Sequence, residues 1–373
     1  MGRHLAGVCL LLCSVAATGQ ELVLGQVAPL TGTIAETGNE YVAGAAAYFT
    51  HVNQNGGVNG RKIRVVVKDD GYKPDETLKL TQQIIEQDKP IALFGFVGTA
   101  NISALIKAEV LAKGNIALLA PYTGATSLRQ PVVPQLFHIR ASYADETAKM
   151  VEHLSTIGVK RIAVFYQDDP FGTSGLVGAT DAMKRINMAP VATGGYDRTK
   201  PDDVDQAVAK IAPANPDAVI AVSVNRATAS FIRKMRAAGQ QAQIFSISVV
   251  NFKELIKNTG EELTRGVGIA QVMPFPYTAS APVVREFHQL MKQHQPDKVI
   301  SYASMESFIA AKVMVEALRR AGPNPNREKV LRALEALRDY DVGGFNVGFS
   351  PQTRVGSNFV EVTVIGPGAK LIR

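Results

Sequence analysis

Hydroxyl, amide and glycine residues recur in loops that directly follow short apolar runs of the sequence. The loops that share this composition are 30–33, 98–101, 122–124, 168–172, 223–225 and 248–251. Such loops offer neutral hydrogen-bond donors and bare backbone N–H groups, which suit the holding of a carboxylate better than the breaking of bonds. The same residue types are common in turns and at helix N-caps, which would explain any one loop alone. Taken together, the loops indicate a binding site for a small anionic molecule.

Motifs of the common enzyme classes are missing from the sequence. It has neither a phosphate loop ending in Lys-Ser/Thr nor the glycine spacing of a dinucleotide site. Ser174 does not stand in a nucleophile elbow, and the histidines lack a zinc-protease pattern. Asp168 and Asp169 precede Pro170, where adjacent carboxylates shape a turn more often than they form an acid/base pair or bind a metal. We therefore expect no catalytic residue, no metal and no cofactor, with an α/β hydrolase or dehydrogenase as the enzyme alternative.

Short β-branched runs alternate with segments of helical apolar spacing. The runs expected as strands are 22–27, 63–67, 91–97, 116–120, 161–166, 218–224, 243–249 and 359–365. Ser142 with Asp145 predicts a capping box at one helix start, and 302–321 and 326–339 predict two late helices without a strand between them. The alternation predicts an α/β class with parallel, doubly wound sheets. Because 373 residues exceed what one core usually holds, we expect two compact lobes of this class.

The first residues indicate export. A basic start is followed by an apolar run over 5–17 and by small residues up to Gly19, which predicts a signal peptide over 1–20, cleaved near residue 20, and a periplasmic protein. Cys9 and Cys13 lie inside this segment without the spacing of a lipid-modified cysteine, so we expect no lipid anchor and no stable membrane insertion. The formal charge of +7 is spread along the chain, which gives no indication of nucleic-acid binding.

Several sequence segments in order are typical of one family. They are NGGVNGRK at 55–62, GFVGT at 95–99, PYTGA at 121–125 and RASYADE at 140–146. With the segment from residue 21 to 70, they resemble the periplasmic leucine/isoleucine/valine-binding family, the type I solute-binding proteins of ABC importers. The resemblance extends over nearly the whole chain after the signal peptide.

The resemblance implies an α/β clamshell of two doubly wound lobes with a central ligand cleft, the type I periplasmic binding protein fold. Lobe one would take 21–141 plus 274–347 and lobe two 142–273 plus 348–373, with crossings near 140–142, 273–275 and 346–350. A ligand contacting both lobes would stabilise a closed form, which the permease subunits of an ABC importer would recognise. We expect a monomer. A ligand-sensing receptor module of the same fold is the alternative, although no spanning helix or DNA-binding domain is evident in the sequence.

The resemblance also implies where a ligand would bind. The residues expected at its carboxylate are Thr99, Asn101, Tyr122, Thr123 and Gly124. Asn101 or Ile102 falls where the family has a hydroxyl, so we favour the hydroxyl of Thr99. Thr37 and Phe171 fall at family side-chain contacts, and Val224 and Asn225 are expected to shape the rest of the pocket. Loop packing is the alternative role of Thr37 and Phe171.

One position separates this chain from the amino-acid binders. Their lobe-two carboxylate, which pairs with the ammonium group of the ligand, falls on Ser248 here. A buried ammonium without a carboxylate costs several kcal/mol. We therefore expect an organic acid or amide rather than a branched-chain amino acid. The competing interpretation is that Glu36 or Asp169 supplies the missing charge, which keeps amino-acid transport open.

Overall fold

The computed structural model describes residues 20–373, so all of the predicted signal peptide except Gln20 lies outside the described residues. The first part of the chain alternates strands and helices. Its elements are β1 (Leu22–Ala28), α1 (Ala35–Gln54), β2 (Ile63–Asp69), α2 (Pro74–Gln87), β3 (Ala92–Phe94), α3 (Thr99–Lys107), α4 (Val110–Lys113), β4 (Leu118–Leu119) and β5 (Leu136–Phe137). The strands pair in parallel in the order β2-β1-β3-β4-β5, which is the sheet of lobe one.

The middle of the chain forms lobe two. Its elements are α5 (Tyr143–Thr156), β6 (Ile162–Gln167), α6 (Pro170–Arg185), β7 (Thr193–Tyr196), α7 (Asp205–Ile211), β8 (Ala218–Val222), α8 (Asn225–Ala237), β9 (Gln243–Ser246), α9 (Phe252–Thr259), α10 (Glu261–Thr264) and β10 (Gly268–Gln271). The predicted capping box begins α5: Ser142 Oγ accepts the Asp145 N–H at 3.0 Å, and Asp145 accepts the Ser142 N–H at 2.9 Å. This prediction is confirmed.

The last part of the chain returns to lobe one and then to lobe two. Its elements are α11 (Pro282–His294), α12 (Tyr302–Arg320), α13 (Arg327–Glu335), β11 (Tyr340–Asp341), β12 (Asn346–Val347), β13 (Glu361–Ile365) and β14 (Leu371–Ile372). α11 and α12 pack against α1 of lobe one. β13 and β14 join the lobe-two sheet, whose order is β14-β13-β10-β9-β8-β6-β7.

The edge of the lobe-two sheet corrects the expectation of purely parallel sheets. β13 pairs antiparallel with β10, and β14 pairs antiparallel with β13. The connection from β13 to β14 is too short for the crossover that parallel strands need. β5, β7, β10, β11, β12 and β14 were not predicted either. Most of them are very short, and β7 contains two glycines, which weaken the strand signal.

The chain passes between the two sheets in the segments 138–142, 272–281 and 348–360. The division predicted from the sequence falls within these segments, and its boundaries stay a prediction. The carboxyl ends of the parallel strands in both sheets face the cleft, where loops and helix starts meet. Within residues 20–373, no helix has the length and apolar character needed to cross a membrane.

Candidate functional site

A pocket lies between the lobes at the carboxyl ends of their strands. Lobe one contributes Ile34, Thr37, Tyr72, Val97, Gly98, Thr99 and Tyr122, and lobe two with its first crossing contributes Tyr143, Phe171, Val224, Asn225 and Val249. The cavity between these residues has a volume of about 30 Å³, so the lobes are closely apposed around it. Apolar and aromatic side chains with a few polar groups are typical of small-molecule sites. We call this cavity the main pocket.

The N-terminus of α3 is the polar end of the main pocket. Its N-cap is Gly98, with a φ of 104°, and no side chain caps the first-turn N–H groups. A Cβ at this position would lie 2.6 Å from Asn101 Oδ1 and 2.7 Å from the Tyr72 ring, so glycine is required here. Uncapped N–H groups and the helix dipole together attract an anion. The start of α3 can therefore hold a carboxylate.

The hydroxyl of Thr99 lies at this helix start and shares a 2.6 Å hydrogen bond with the hydroxyl of Thr123. Thr123 Oγ1 also accepts the N–H of Ala125 at 3.2 Å. If Thr123 donates to Thr99, the proton of the Thr99 hydroxyl is free to point to a ligand oxygen. Two neighbouring loops thus orient one hydroxyl.

Phe171 is held in the lobe-two wall by the capping of α6. Asp169 Oδ1 accepts the N–H groups of Phe171 and Gly172 at 2.9 and 3.3 Å. The Phe171 ring packs edge-on against Tyr143, with 5.3 Å between the ring centroids. These two rings form an apolar face opposite α3.

Arg198 connects the lobes at the rim of the main pocket. It belongs to lobe two, where Nη1 lies 3.0 Å from Asp169 Oδ2. Its Nη2 donates to the Tyr72 carbonyl at 2.8 Å and to Asn101 Oδ1 at 3.3 Å, both in lobe one. The Thr126 N–H also crosses the cleft, donating to Ser174 Oγ at 3.2 Å. The lobes are therefore in contact around the pocket.

Comparison with known proteins decides the family. Residues 21–366 match the family described as periplasmic binding protein. The chain belongs to this family. Its members are binding proteins and not enzymes, which confirms the prediction of a non-enzymatic function.

The relatives of this binding protein match at least 78% of its length. An amino acid binding protein of Pseudomonas aeruginosa is 26% identical over 296 residues, covering 78% of each chain. The crystal structure of a substrate-binding periplasmic protein from Ralstonia solanacearum is 40% identical, with a TM-score of 0.90 over 94% of this chain and 99% of that chain. A possible leucine/isoleucine/valine-binding protein from Rhodopirellula baltica is 26% identical, with a TM-score of 0.89 over 96% and 98%. These structures confirm the predicted α/β fold of two lobes.

Nine of the ten predicted site residues of the binding protein divide into two groups. Those that line the main pocket are Thr37, Thr99, Tyr122, Phe171, Val224 and Asn225. Asn101, Thr123 and Gly124 lie behind its wall. The Asn101 amide donates to Asp70 Oδ2 and Thr77 Oγ1 at 3.2 and 2.8 Å.

Gly124 of lobe one contacts the start of α5. Its carbonyl accepts the Tyr143 N–H at 2.7 Å, and a Cβ at 124 would lie 2.5 Å from the Tyr143 ring. The absence of a side chain lets Tyr143 reach the pocket. Tyr143 was not predicted as a site residue, and neither were Ile34, Tyr72, Val97, Gly98 and Val249. The quoted segments 95–99 and 140–146 and the polar loops 98–101 and 248–251 included four of these residues, which was the available signal.

Ser248 is not in the main pocket of the binding protein. Its Oγ accepts a hydrogen bond from Arg140 Nη2 and donates to Glu146 Oε1 at 3.0 Å, and its N–H donates to Glu146 Oε2 at 2.7 Å. The hydroxyl is therefore fully engaged. Asp169 pairs with Arg198, and Glu36 is exposed at the start of α1, so neither lines the pocket.

A fully buried charge cluster lies beneath the main pocket, where the first crossing meets both lobes. Arg140 Nη2 is 3.6 Å from Glu146 Oε1, and Nη1 is 3.8 Å from Glu306 Oε2. The guanidinium also lies 4.5 Å from the centroid of the Tyr122 ring. Burial raises the pKa of Glu306 to about 7, although the charge of Arg140 acts in the opposite direction. The cluster connects α5 of lobe two with α12 of lobe one.

A second, smaller pocket of about 10 Å³, enough for one water-sized group, adjoins the main pocket and shares Thr37, Tyr122 and Val249 with it. Its remaining residues are Glu40, Ser248, Val250, Asn251, Phe252, Tyr277, Tyr302 and Ala303. Burial raises the pKa of Glu40 to about 7, against hydrogen bonds from Ser301 and Asn251 that lower it. We call this cavity the Glu40 pocket. Nothing in the sequence around Glu40 marked it as a site residue.

The described residues contain no group of three or more His, Cys, Asp or Glu side chains that could hold a metal ion.

Proposed function

We propose that this protein is the extracytoplasmic substrate-binding subunit of an ABC importer and binds a small carboxylate ligand reversibly. The main pocket carries the proposal, because the uncapped start of α3 faces side chains from both lobes. Family membership supports binding without chemical conversion. The predicted signal peptide supports a periplasmic location, and the permease subunits of the importer are the proposed partners.

The ligand carboxylate rests against α3 in this proposal. The N–H groups of the first helical turn and the Thr99 hydroxyl are the donors, with the loop 122–124 beside them. The body of the ligand lies among Thr37, Phe171, Val224 and Asn225. A carboxylate at a helix N-terminus gains from both hydrogen bonds and the helix dipole.

Closure of the lobes around the ligand is the proposed mechanism. A ligand that touches both lobes binds the closed form more tightly than the open one, and the difference in affinity shifts the population. Arg198 adds contacts between the lobes at the rim of the pocket, which supports a discrete closed state. The importer would distinguish the loaded protein by this state.

The ligand is an organic acid or amide rather than a branched-chain amino acid in this proposal. No acidic side chain is among the described residues that line the main pocket. An α-ammonium group next to the bound carboxylate would therefore be buried without an anionic partner, at a cost of several kcal/mol. The P. aeruginosa relative is named as an amino acid binding protein, so an amino acid with a charge partner outside this pocket is the competing ligand.

Two measurements test the function. Mass spectrometry of the small molecule released from purified, mildly denatured protein should find a carboxylate. A thermal-shift screen should show stabilisation by aliphatic or aromatic acids, with the ligand recovered unchanged. Micromolar binding of leucine, isoleucine or valine, with no response to the deaminated acids, would contradict the proposed ligand class. Recovery of a chemically altered ligand would contradict the proposed function.

A further inference from the structure

We propose that the Glu40 pocket is a second subsite, which binds a cationic amine at the end of the ligand distant from its carboxylate. The inference rests on the proposed function and narrows its ligand class to carboxylates with a distal ammonium group. α-Amino acids, whose two charges are adjacent, do not fit this separation.

The two pockets are next to each other along one face of α1. Thr37 and Glu40 are three residues apart in this helix, so their side chains lie on the same side. Thr37 lines both pockets, whereas Glu40 lines only the second. Tyr122 and Val249 complete the boundary between them. A ligand with its carboxylate at α3 would reach Glu40 by extending past Thr37.

The carboxylate of Glu40 has no cationic partner within the described residues. None of the salt bridges among residues 20–373 includes it, and the charge of Lys253 lowers its pKa only from a distance. Its hydrogen bonds come from neutral groups, namely Ser301 and Asn251 Nδ2, which donates to both carboxylate oxygens at 3.0 and 3.2 Å. Glu40 is half-buried, and a carboxylate in such a place whose hydrogen bonds come from neutral groups keeps part of its desolvation cost. The raised pKa of Glu40 agrees with this cost. An incoming ammonium group would offset it.

The walls of the Glu40 pocket favour a cation over an anion. The Tyr277 ring meets the Tyr302 ring edge-on, with centroids 5.8 Å apart, and meets Phe252 at 5.3 Å. Aromatic faces attract ammonium groups, and most strongly where water is excluded. The exposed Lys253 already lies with Nζ 5.0 Å from the Tyr277 centroid, so this ring interacts with a cation in the folded protein. The rings and the Glu40 carboxylate thus provide the two features that recognise an amine.

The experiment compares pairs of probes that differ only in the distal amine. Calorimetry at neutral pH would measure γ-aminobutanoate, δ-aminopentanoate and ε-aminohexanoate against butanoate, pentanoate and hexanoate. We expect the best amino acid of the series to bind at least about tenfold more tightly than its matching acid. Glu40→Gln should abolish this preference, because the amide keeps an acceptor for Asn251 but removes the charge.

The matched control is Glu36→Gln. It removes the same charge one turn earlier on α1, at an exposed position outside both pockets, and should leave the preference intact. Unaminated acids binding as tightly as their amino counterparts would overturn the subsite and leave the proposed function standing. Equal weakening of both series by Glu40→Gln would also overturn the subsite. It would mean that Glu40 holds the lobes together through Asn251 and does not recognise the amine. A preference lost with Glu40→Gln, together with an affinity for both series that Thr99→Val leaves unchanged, would support the subsite and contradict the carboxylate site. Failure of both series to bind would overturn the subsite and the proposed carboxylate-binding function together.

Discussion

The guanidinium of Arg198 lies 4.0 Å from the centroid of the Tyr72 ring and donates a 2.8 Å hydrogen bond to the Tyr72 carbonyl, although the two residues belong to different lobes. Tyr72 lines the main pocket, whereas Arg198 lies at its rim. Asp169, which caps the helix carrying Phe171, pairs with the same guanidinium. The Arg198–Tyr72 contact therefore connects the closure of the lobes with the wall that faces the ligand.

Replacing Arg198 by Ala should weaken ligand binding by about tenfold or more, because hydrogen bonds from a charged group that form only on closure are lost. Calorimetry with the ligand identified by mass spectrometry is the measurement. Arg226→Ala is the matched control, since Arg226 pairs with Asp202 within lobe two at an exposed position. Equal affinity of the two variants would show that Arg198 does not contribute to closure.

Thr99→Val should weaken ligand binding by about 0.5 to 3 kcal/mol, the range for losing a hydrogen bond to a charged group. Thr99→Ser keeps the hydroxyl and should retain most of the affinity. Thermal denaturation without ligand separates this effect from loss of the Thr99–Thr123 hydrogen bond, which changes stability and not binding. Unchanged affinity of the valine variant would show that the ligand carboxylate does not bind the Thr99 hydroxyl.

Arg140→Met should lower the free energy of unfolding by about 3 to 5 kcal/mol, because two buried carboxylates lose their shared cation. Adding Glu306→Gln to this variant should restore part of the stability, since it removes one of the unpaired charges. Urea denaturation of the two variants and the wild type tests this. A double variant less stable than Arg140→Met would argue against charge burial as the cause.

The pH dependence of stability should change in Glu40→Gln. Burial raises the pKa of Glu40 from 4.5 to about 7, so the folded protein binds this proton more tightly than the unfolded chain does. The resulting stability is fully present below about pH 4.5 and is lost as the pH rises through about 7, by at most on the order of 3 kcal/mol. Glu306 has a raised pKa and adds the same trend in both proteins.

We therefore expect the melting temperature of the wild type to fall more between pH 5 and pH 8 than that of Glu40→Gln. Glu36→Gln should follow the wild type, because this carboxylate is exposed. Parallel curves for wild type and Glu40→Gln would mean that burial does not perturb Glu40.

Local patterns in the sequence were sufficient for most of the longer elements and for part of the pocket. The capping box of Ser142 and Asp145 depends on residues three positions apart, so it could be predicted directly. The long β-branched runs predicted most of the parallel strands, and the loops after them contained Thr99, Tyr122 and Phe171. The short strand β14 could not be predicted, because it is defined by pairing with β13 rather than by a pattern of its own.

Contacts between distant residues were decided by the tertiary structure alone. Ser248 aligns with a ligand-binding position, yet its hydroxyl bonds to Arg140 and Glu146, more than a hundred residues away. Arg198 and Glu40 belong to no motif, and each has its role only because the opposite lobe brings Tyr72 or Asn251 within hydrogen-bonding distance. The sequence by itself determined the family, the fold class and the polar loops, since these follow from local periodicity and residue type. The direction in which each of those polar groups points depends on how the two lobes pack, and no local pattern records that.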